Sequence, residues 1–370
     1  MKPKLKFVNK DKTQFFNVLK QRIDGYFIEN NISQHANGLM IFKSVFMLAL
    51  YFVPYAMIVS GIATGGWFWL MWVLTGLGLA GIGMGIMHDA NHGAYSKSNF
   101  INRMMGYTVS LVGADVNNWK TQHNVLHHTY TNIHDYDEDI DDKVGMRFSP
   151  SGKHHKIQRF QVVYAFFLYS MMTLYWIVAK DFLQYERYIR EGQNKDIKRD
   201  RIKKFITMIA FKVIYYIYIL VIPIMYLDIP WWHILAGFML MHFVGGIILS
   251  VTFQLAHVVE GTSFPLPDEK GNIDNEWAIH QLNTTADFAA RHPLVTFYVG
   301  GLNYQAIHHL FPRICHVHYP NIAPIVEQTA KEFGVPYLYY PTVREAFKSH
   351  LRMLKKLGRN EIWDLANEMG

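Results

Sequence analysis

Residues 44–87 read SVFMLALYFVPYAMIVSGIATGGWFWLMWVLTGLGLAGIGMGIM, 44 residues without one Asp, Glu, Lys or Arg. About 20 apolar residues suffice for a helix to cross the hydrocarbon core of a bilayer. The stretch therefore has the length of two spans, which no soluble core helix requires. Gly61, Gly65 and Gly66 interrupt it with turn-formers, so the reading is a helical hairpin with spans at 39–60 and 67–87. A second apolar pair runs over 205–227 and 231–256, parted by Asp228, Ile229 and Pro230. Lys212 falls near the start of the third span and is expected to snorkel towards the headgroups.

Two shorter apolar stretches remain. Residues 101–114 would make a helix of roughly 21 Å, too short to cross. Residues 161–179 are long enough, and the basic residues decide their placement. The N-terminal segment, the stretch 180–204 with nine Lys and Arg, and the C-terminal tail count as inside. The turns near Gly61 and Asp228 carry no Lys or Arg and count as outside. Residues 161–179 must then lie in the interface, since crossing would put 180–204 on the outer face. The expected fold is an all-α integral membrane protein with four transmembrane helices in two hairpins and a cytoplasmic histidine-rich cap. Its parts are an N-terminal cytoplasmic segment (1–38), a membrane domain (39–256) with a cytoplasmic loop (88–204), and a cytoplasmic C-terminal region (257–370).

Composition agrees with that reading. Of 370 residues, 51% are hydrophobic and only 18% charged, while the formal charge is +7. In a membrane protein such a basic balance reads as loops facing anionic lipid. The basic run 195–204 lacks interleaved aromatics, so no nucleic-acid partner is expected. The lone cysteine, Cys315, excludes an internal disulfide and thiolate metal cages. The first 38 residues are polar and mixed in charge, so the first apolar segment is expected to insert as an uncleaved anchor.

Eight of the 19 histidines fall into a pattern. His88 and His92 close the second span, and His123, His127 and His128 follow about 30 residues later. His257 ends the fourth span, and His308 and His309 lie in the C-terminal region. On a helix, residues four apart share a face, so His88 should point with His92, and His123 with His127. An adjacent pair is splayed by about 100° and can serve two neighbouring metals. Under the four-span topology all eight sit at the cytoplasmic helix ends. Imidazole suits Zn, Cu, Fe and Ni, and eight ligands are too many for one ion. Zinc has no redox chemistry, and its hydrolytic sites bring a Glu as in H-E-x-x-H, where this chain has Asp89. An all-imidazole pair of ions suits iron and dioxygen.

In order and spacing, these boxes resemble those of the membrane fatty acid desaturases: H-x(3–4)-H, H-x(2–3)-H-H and [H/Q]-x(2–3)-H-H. The resemblance covers roughly residues 40–330. Gln305 opens the third box, and its setting from Gly300 to Pro312 looks like the front-end desaturases, which insert a double bond between an existing one and the carboxyl end. The resemblance implies a di-iron centre held by His88, His92, His123, His127, His128, His308 and His309, with His257 as a further ligand. It also implies O2 as co-substrate and an acyl-CoA or acyl-lipid substrate in the bilayer. Gln305 and Asp89 would be near-site residues. The chain lacks the His-Pro-Gly-Gly mark of a fused haem domain, so a separate electron carrier, a ferredoxin or small haem protein, is expected.

Other residues read more plainly. The acidic run Asp135, Asp137, Glu138, Asp139, Asp141 and Asp142 reads mainly as a solvated loop. His134 and His280 are the remaining ligand alternatives. His233 and His242 are expected to be paired inside the bundle, and His154 with His155 to be solvated. A related hydroxylase shares the metal chemistry, and the context of Gln305 favours the desaturase. A metal or haem carrier would need polar residues near the bilayer midplane, where the first two spans have almost none.

Overall fold

The computed structural model describes residues 5–141, 145–194 and 196–361. Four of its helices are long and apolar enough to cross a membrane: Gly38–Val59, Gly65–His92, Lys198–Tyr226 and Trp231–His257. All four sequence-read spans are present. The second helix extends five residues past the charge-free stretch and so carries the first histidine box as its last turn. The third starts at Lys198, because its basic first turn is as helical as the apolar run behind it. Residues 161–179 do not form one straight helix. They belong to two, Lys156–Ser170 and Met172–Arg190, bent by 56°.

Chain contacts divide the protein into two units, one of Asn37–Thr121 with Phe166–Val251, the other of Lys2–Ala36, Gln122–Ala165 and Thr252–Gly370. In the first unit the second span is the most enclosed, 72% buried against 33% for the first. Small residues allow that enclosure. A Cβ on Gly78 would fall 2.5 Å from the Tyr51 backbone nitrogen, and one on Gly76 2.5 Å from the Met241 carbonyl. Small residues permit such close backbone approach between helices in lipid, where no hydrophobic force drives association.

Lys212 does not snorkel. It is buried, with Nζ 2.8 Å from Asp181 Oδ2 and donating to the carbonyls of Gly113 and Ile177 at 2.9 Å each. A carboxylate within reach and two carbonyls satisfy the ammonium where it stands, which removes the reason to reach for headgroups. His242 is paired as expected, with Nε2 2.7 Å from the Tyr215 hydroxyl and Nδ1 3.0 Å from Thr173 Oγ1. His233 instead sits among Phe68, Trp69 and Trp232.

The second unit is helical apart from two short parallel strand pairs. Strand β1 (Lys6–Val8) pairs with β2 (Asn272–Asp274), and β3 (Ala286–Phe288) with β4 (Leu338–Tyr340). The all-α expectation is corrected to this extent. Three-residue strands are too short to show a period of two, so no pattern announces them. Helix Phe15–Glu29 buries Phe15, Leu19, Ile23 and Phe27 on one stripe, packed with Ile307, Leu310, Ile322 and Val326 in one core. That core holds the helix of the third histidine box, Gln305–Leu310.

Candidate metal centre

The second box, whose histidines belong to the second unit, is carried by a π-helical segment, Thr121–His127, followed by a turn of α-helix, His128–Tyr130. A π-helix bonds i to i+5, which changes which histidines meet. His128 Nε2 lies 3.3 Å from His123 Nε2 and 3.0 Å from His308 Nε2. His127 turns the other way, where nitrogens of His127, His257 and His309 all lie within 4.8 Å of one another. His123 shares a face with His127, as expected, and meets His128 as well. The His123 and His127 rings stack 5.3 Å apart, yet the nitrogens of His123 approach His128. Each adjacent pair, His127 with His128 and His308 with His309, is divided between the two groups.

On three of these rings the nitrogen on the far side is held by another side chain. His127 Nδ1 donates to Asp137 Oδ2 at 3.0 Å. His309 Nδ1 donates to Gln281 Oε1 at 2.7 Å, and His308 Nδ1 lies 3.2 Å from the Tyr319 hydroxyl. Gln281 also donates to the His128 carbonyl at 3.3 Å. Gln305 sits between two rings, its Nε2 3.0 Å from His257 Nε2 and 3.3 Å from His309 Nε2. His127 Nε2 is buried and has no hydrogen-bond partner. A buried nitrogen left open beside converging imidazoles is what a cation would satisfy.

The acidic run is not simply a solvated loop. Asp137 is fully buried, Glu138 nearly so, and Asp139 receives a hydrogen bond from Gln122. Asp135 remains exposed, while Asp142 lies outside the described residues. Backbone N–H groups of Asn132 and Asp139 also donate to Asp137, each at 3.0 Å. Burial disfavours the Asp137 carboxylate, but the His127 charge and these hydrogen bonds outweigh it and hold its pKa below the usual range. Burial likewise disfavours a charged His127, and Asp137 with Asp139 holds its pKa above normal.

Sequence reasoning passed over Asn132, Gln281, Tyr319 and Asp287. Asn132 adopts φ +58°, a left-handed conformation that Asn tolerates better than most residues. From there its Nδ2 reaches the carbonyls of His257, Ser263 and Thr284 at 3.0–3.2 Å. Asp287 on β3 accepts from the Ala306 N–H at 2.8 Å, capping the third-box helix. No spacing rule marks these residues, since each acts from a different element.

His280 is buried against Phe7, ring centroids 5.0 Å apart, and burial pushes its pKa down to about 4. His134 is partly exposed and 3.9 Å from Asp135. His154 donates to the Gly358 carbonyl at 2.9 Å, so it is not merely solvated. Cys315 is buried.

In the first unit, His88 and His92 end the second span with ring centroids 4.9 Å apart, and the Trp119 ring stands edge-on to both. A π-helical turn, Ile82–Ile86, precedes them, and Gly93 at φ +78° ends the helix. Asp89 is buried between them in sequence.

The fatty acid desaturase family pattern matches residues 64–341. The chain belongs to that family. It is 36% identical to the sn-1 linoleoyl-lipid 6-desaturase of Synechocystis over 96% of this chain and 98% of that protein. To the sn-1 linoleoyl-lipid 6-desaturase of Arthrospira platensis it is 37% identical over 92% of each. It is also 37% identical to the acyl-lipid (8-3)-desaturase of Physcomitrium patens, over 97% of this chain and 75% of that one. As a desaturase it is an oxidoreductase of lipid metabolism, and its membrane helices and metal-capable histidines fit that family.

Proposed function

We propose that this desaturase is a front-end enzyme acting on acyl-lipids, with two irons held by His88, His92, His123, His127, His128, His257, His308 and His309. One observation carries the ligand assignment. Six of these histidines gather in two groups within one unit, with nitrogens turned together and the opposite nitrogens of three rings held by Asp137, Gln281 and Tyr319. The remaining two ligands, His88 and His92, rest on the family motif. The membrane domain, 39–256, carries two helical hairpins joined by a cytoplasmic loop, 88–204; both termini and the metal centre face the cytoplasm, a reading that the distribution of basic residues supports.

The residues present suit iron. Neutral imidazole is an iron ligand, and Asp137 keeps the proton of His127 on Nδ1, leaving the Nε2 lone pair for a metal. Gln281 does the same for His309. Gln305 places an amide between His257 and His309, where it orients whatever binds there. Asp89, buried beside the first-box histidines, is the other near-site group. When bound, the iron pair supplies the oxidising power that lets O2 remove two hydrogens from adjacent acyl carbons. The protein's own task is positioning, because the carbon held near the site decides where the double bond falls.

The relatives named as linoleoyl-lipid and (8-3) desaturases support an unsaturated acyl-lipid substrate. Expression in a host supplied with linoleate, followed by mass spectrometry of the lipids, tests this reading. The expected product carries a new double bond between the existing ones and the carboxyl end. A bond placed towards the methyl end, or a hydroxylated product, would overturn it.

A further inference from the structure

The helix Val343–Arg359 is strongly two-sided. Its apolar and small residues Ala346, Met353, Leu354 and Leu357 are buried, and a Cβ on Gly358 would meet the Gln158 carbonyl. Gln161 Nε2 and Arg147 Nη1 donate to its Leu354 and Leu357 carbonyls at 2.7 and 3.1 Å. Its other face is a row of cations spaced four, four, three and four apart: Arg344, Lys348, Arg352, Lys355 and Arg359, all exposed. Glu260 holds Arg352 at 2.6 Å, and Arg359 lies 3.8 Å from Glu361. Among the described residues, Arg344, Lys348 and Lys355 stand in no ion pair.

The same helix is fastened to the segment that follows His257. His350 Nδ1 donates to the Val258 carbonyl at 2.7 Å, and the Glu260 N–H donates to Ser349 Oγ at 2.8 Å. Lys356 adds an ion pair with Glu260 at 3.1 Å. One short hydrogen bond and one peptide therefore join this helix to a proposed iron ligand.

Resting on the desaturase reading, we propose that the row of cations on Val343–Arg359 is the docking surface for the electron donor, an acidic one-electron carrier protein. The charge on the row selects the partner's sign. An amphipathic helix that binds lipid lays its apolar face in the membrane, but here that face is spent on the protein's own core. What remains outside is polar and cationic, which suits an electrostatically steered protein encounter. The chemistry supplies the demand. Conversion of –CH2–CH2– to –CH=CH– consumes one O2, two protons and two electrons and yields two waters, so two reduced carriers must each give up one electron.

The test uses the full-length iron-loaded enzyme in phosphatidylcholine nanodiscs, with a reduced plant-type ferredoxin as donor. The double variant Lys348→Glu, Lys355→Glu changes only exposed side chains, and unchanged iron content and elution would show that it is folded. The expected result is a KM for ferredoxin raised roughly tenfold or more at low salt, with kcat unchanged and the difference shrinking as salt is added. Binding of oxidised ferredoxin, measured by calorimetry without turnover, should weaken in parallel. Equal KM and equal binding in the two proteins would overturn the proposal. So would a defect that appears only in nanodiscs containing phosphatidylglycerol, because the row would then serve lipid headgroups. If the wild-type enzyme forms no double bond with any reductant, the desaturase reading fails instead.

Discussion

Asp137 does for His127 what no ligand can do for itself. Its carboxylate accepts a hydrogen bond from Nδ1–H, is itself held by two backbone N–H groups, and so fixes both the tautomer and the ring plane. Such carboxylate–histidine pairs raise ligand basicity, and removing the outer partner typically costs about 10–100-fold in metal affinity. Asp137→Asn should therefore weaken iron binding by that order while leaving the fold in place. Iron retained after dialysis against a graded chelator series, with circular dichroism on the same samples, measures both. If the variant holds iron as tightly as the wild type, Asp137 does not act through His127. The eight ligand candidates stand out in the sequence because histidines at helix ends recur at box spacing. Asp137 does not stand out, because five other acidic residues surround it and only burial separates it from them.

Among the elements, β3 and the third-box helix depend on one carboxyl group. Asp287 caps that helix through the Ala306 N–H and accepts from the Tyr337 hydroxyl. Burial raises its pKa to about 7, more than these hydrogen bonds lower it. A carboxyl whose pKa is higher in the folded state than in the unfolded one favours folding below its unfolded value. That contribution is lost as pH climbs from about 4 through about 7. Melting temperature should accordingly fall between pH 5 and 8 more steeply in the wild type than in Asp287→Asn, which cannot ionise. His280 and His350, both pushed down to about 4 by burial, are common to the two proteins and cancel. Parallel slopes would show that Asp287 carries no such charge penalty. At this scale a period of 3.6 serves the four spans well. It fails at Thr121–His127, where a π-helical ladder brings His123 to His128, and nothing in the order of side chains announces that change of period.

For the whole molecule, legibility follows from what each feature answers to. Charge-free runs answer to the solvent, so the spans could be read without knowing any neighbour. The polar groups that hold the histidines answer to tertiary contact: Gln281 and Tyr319 are 28 and 11 residues from the rings they touch. The same contrast predicts how the protein responds to losing its metal. Buried imidazoles whose open nitrogens face one another lose hydration on folding and recover it only through a bound cation. Metal bound to the folded state alone stabilises by about 4 kcal/mol at a thousandfold excess over its dissociation constant. In a chain of this size that corresponds to roughly 5–10 °C. Detergent-purified enzyme stripped with a chelator should melt lower by about that amount, and Fe(II) added back should restore both the melting temperature and about two irons per chain. His127→Ala should be less sensitive to stripping, because one group of ligands is already broken. Complete loss of iron with no change in melting would mean that the histidine groups are stable without a cation, and the metal assignment would fall with it.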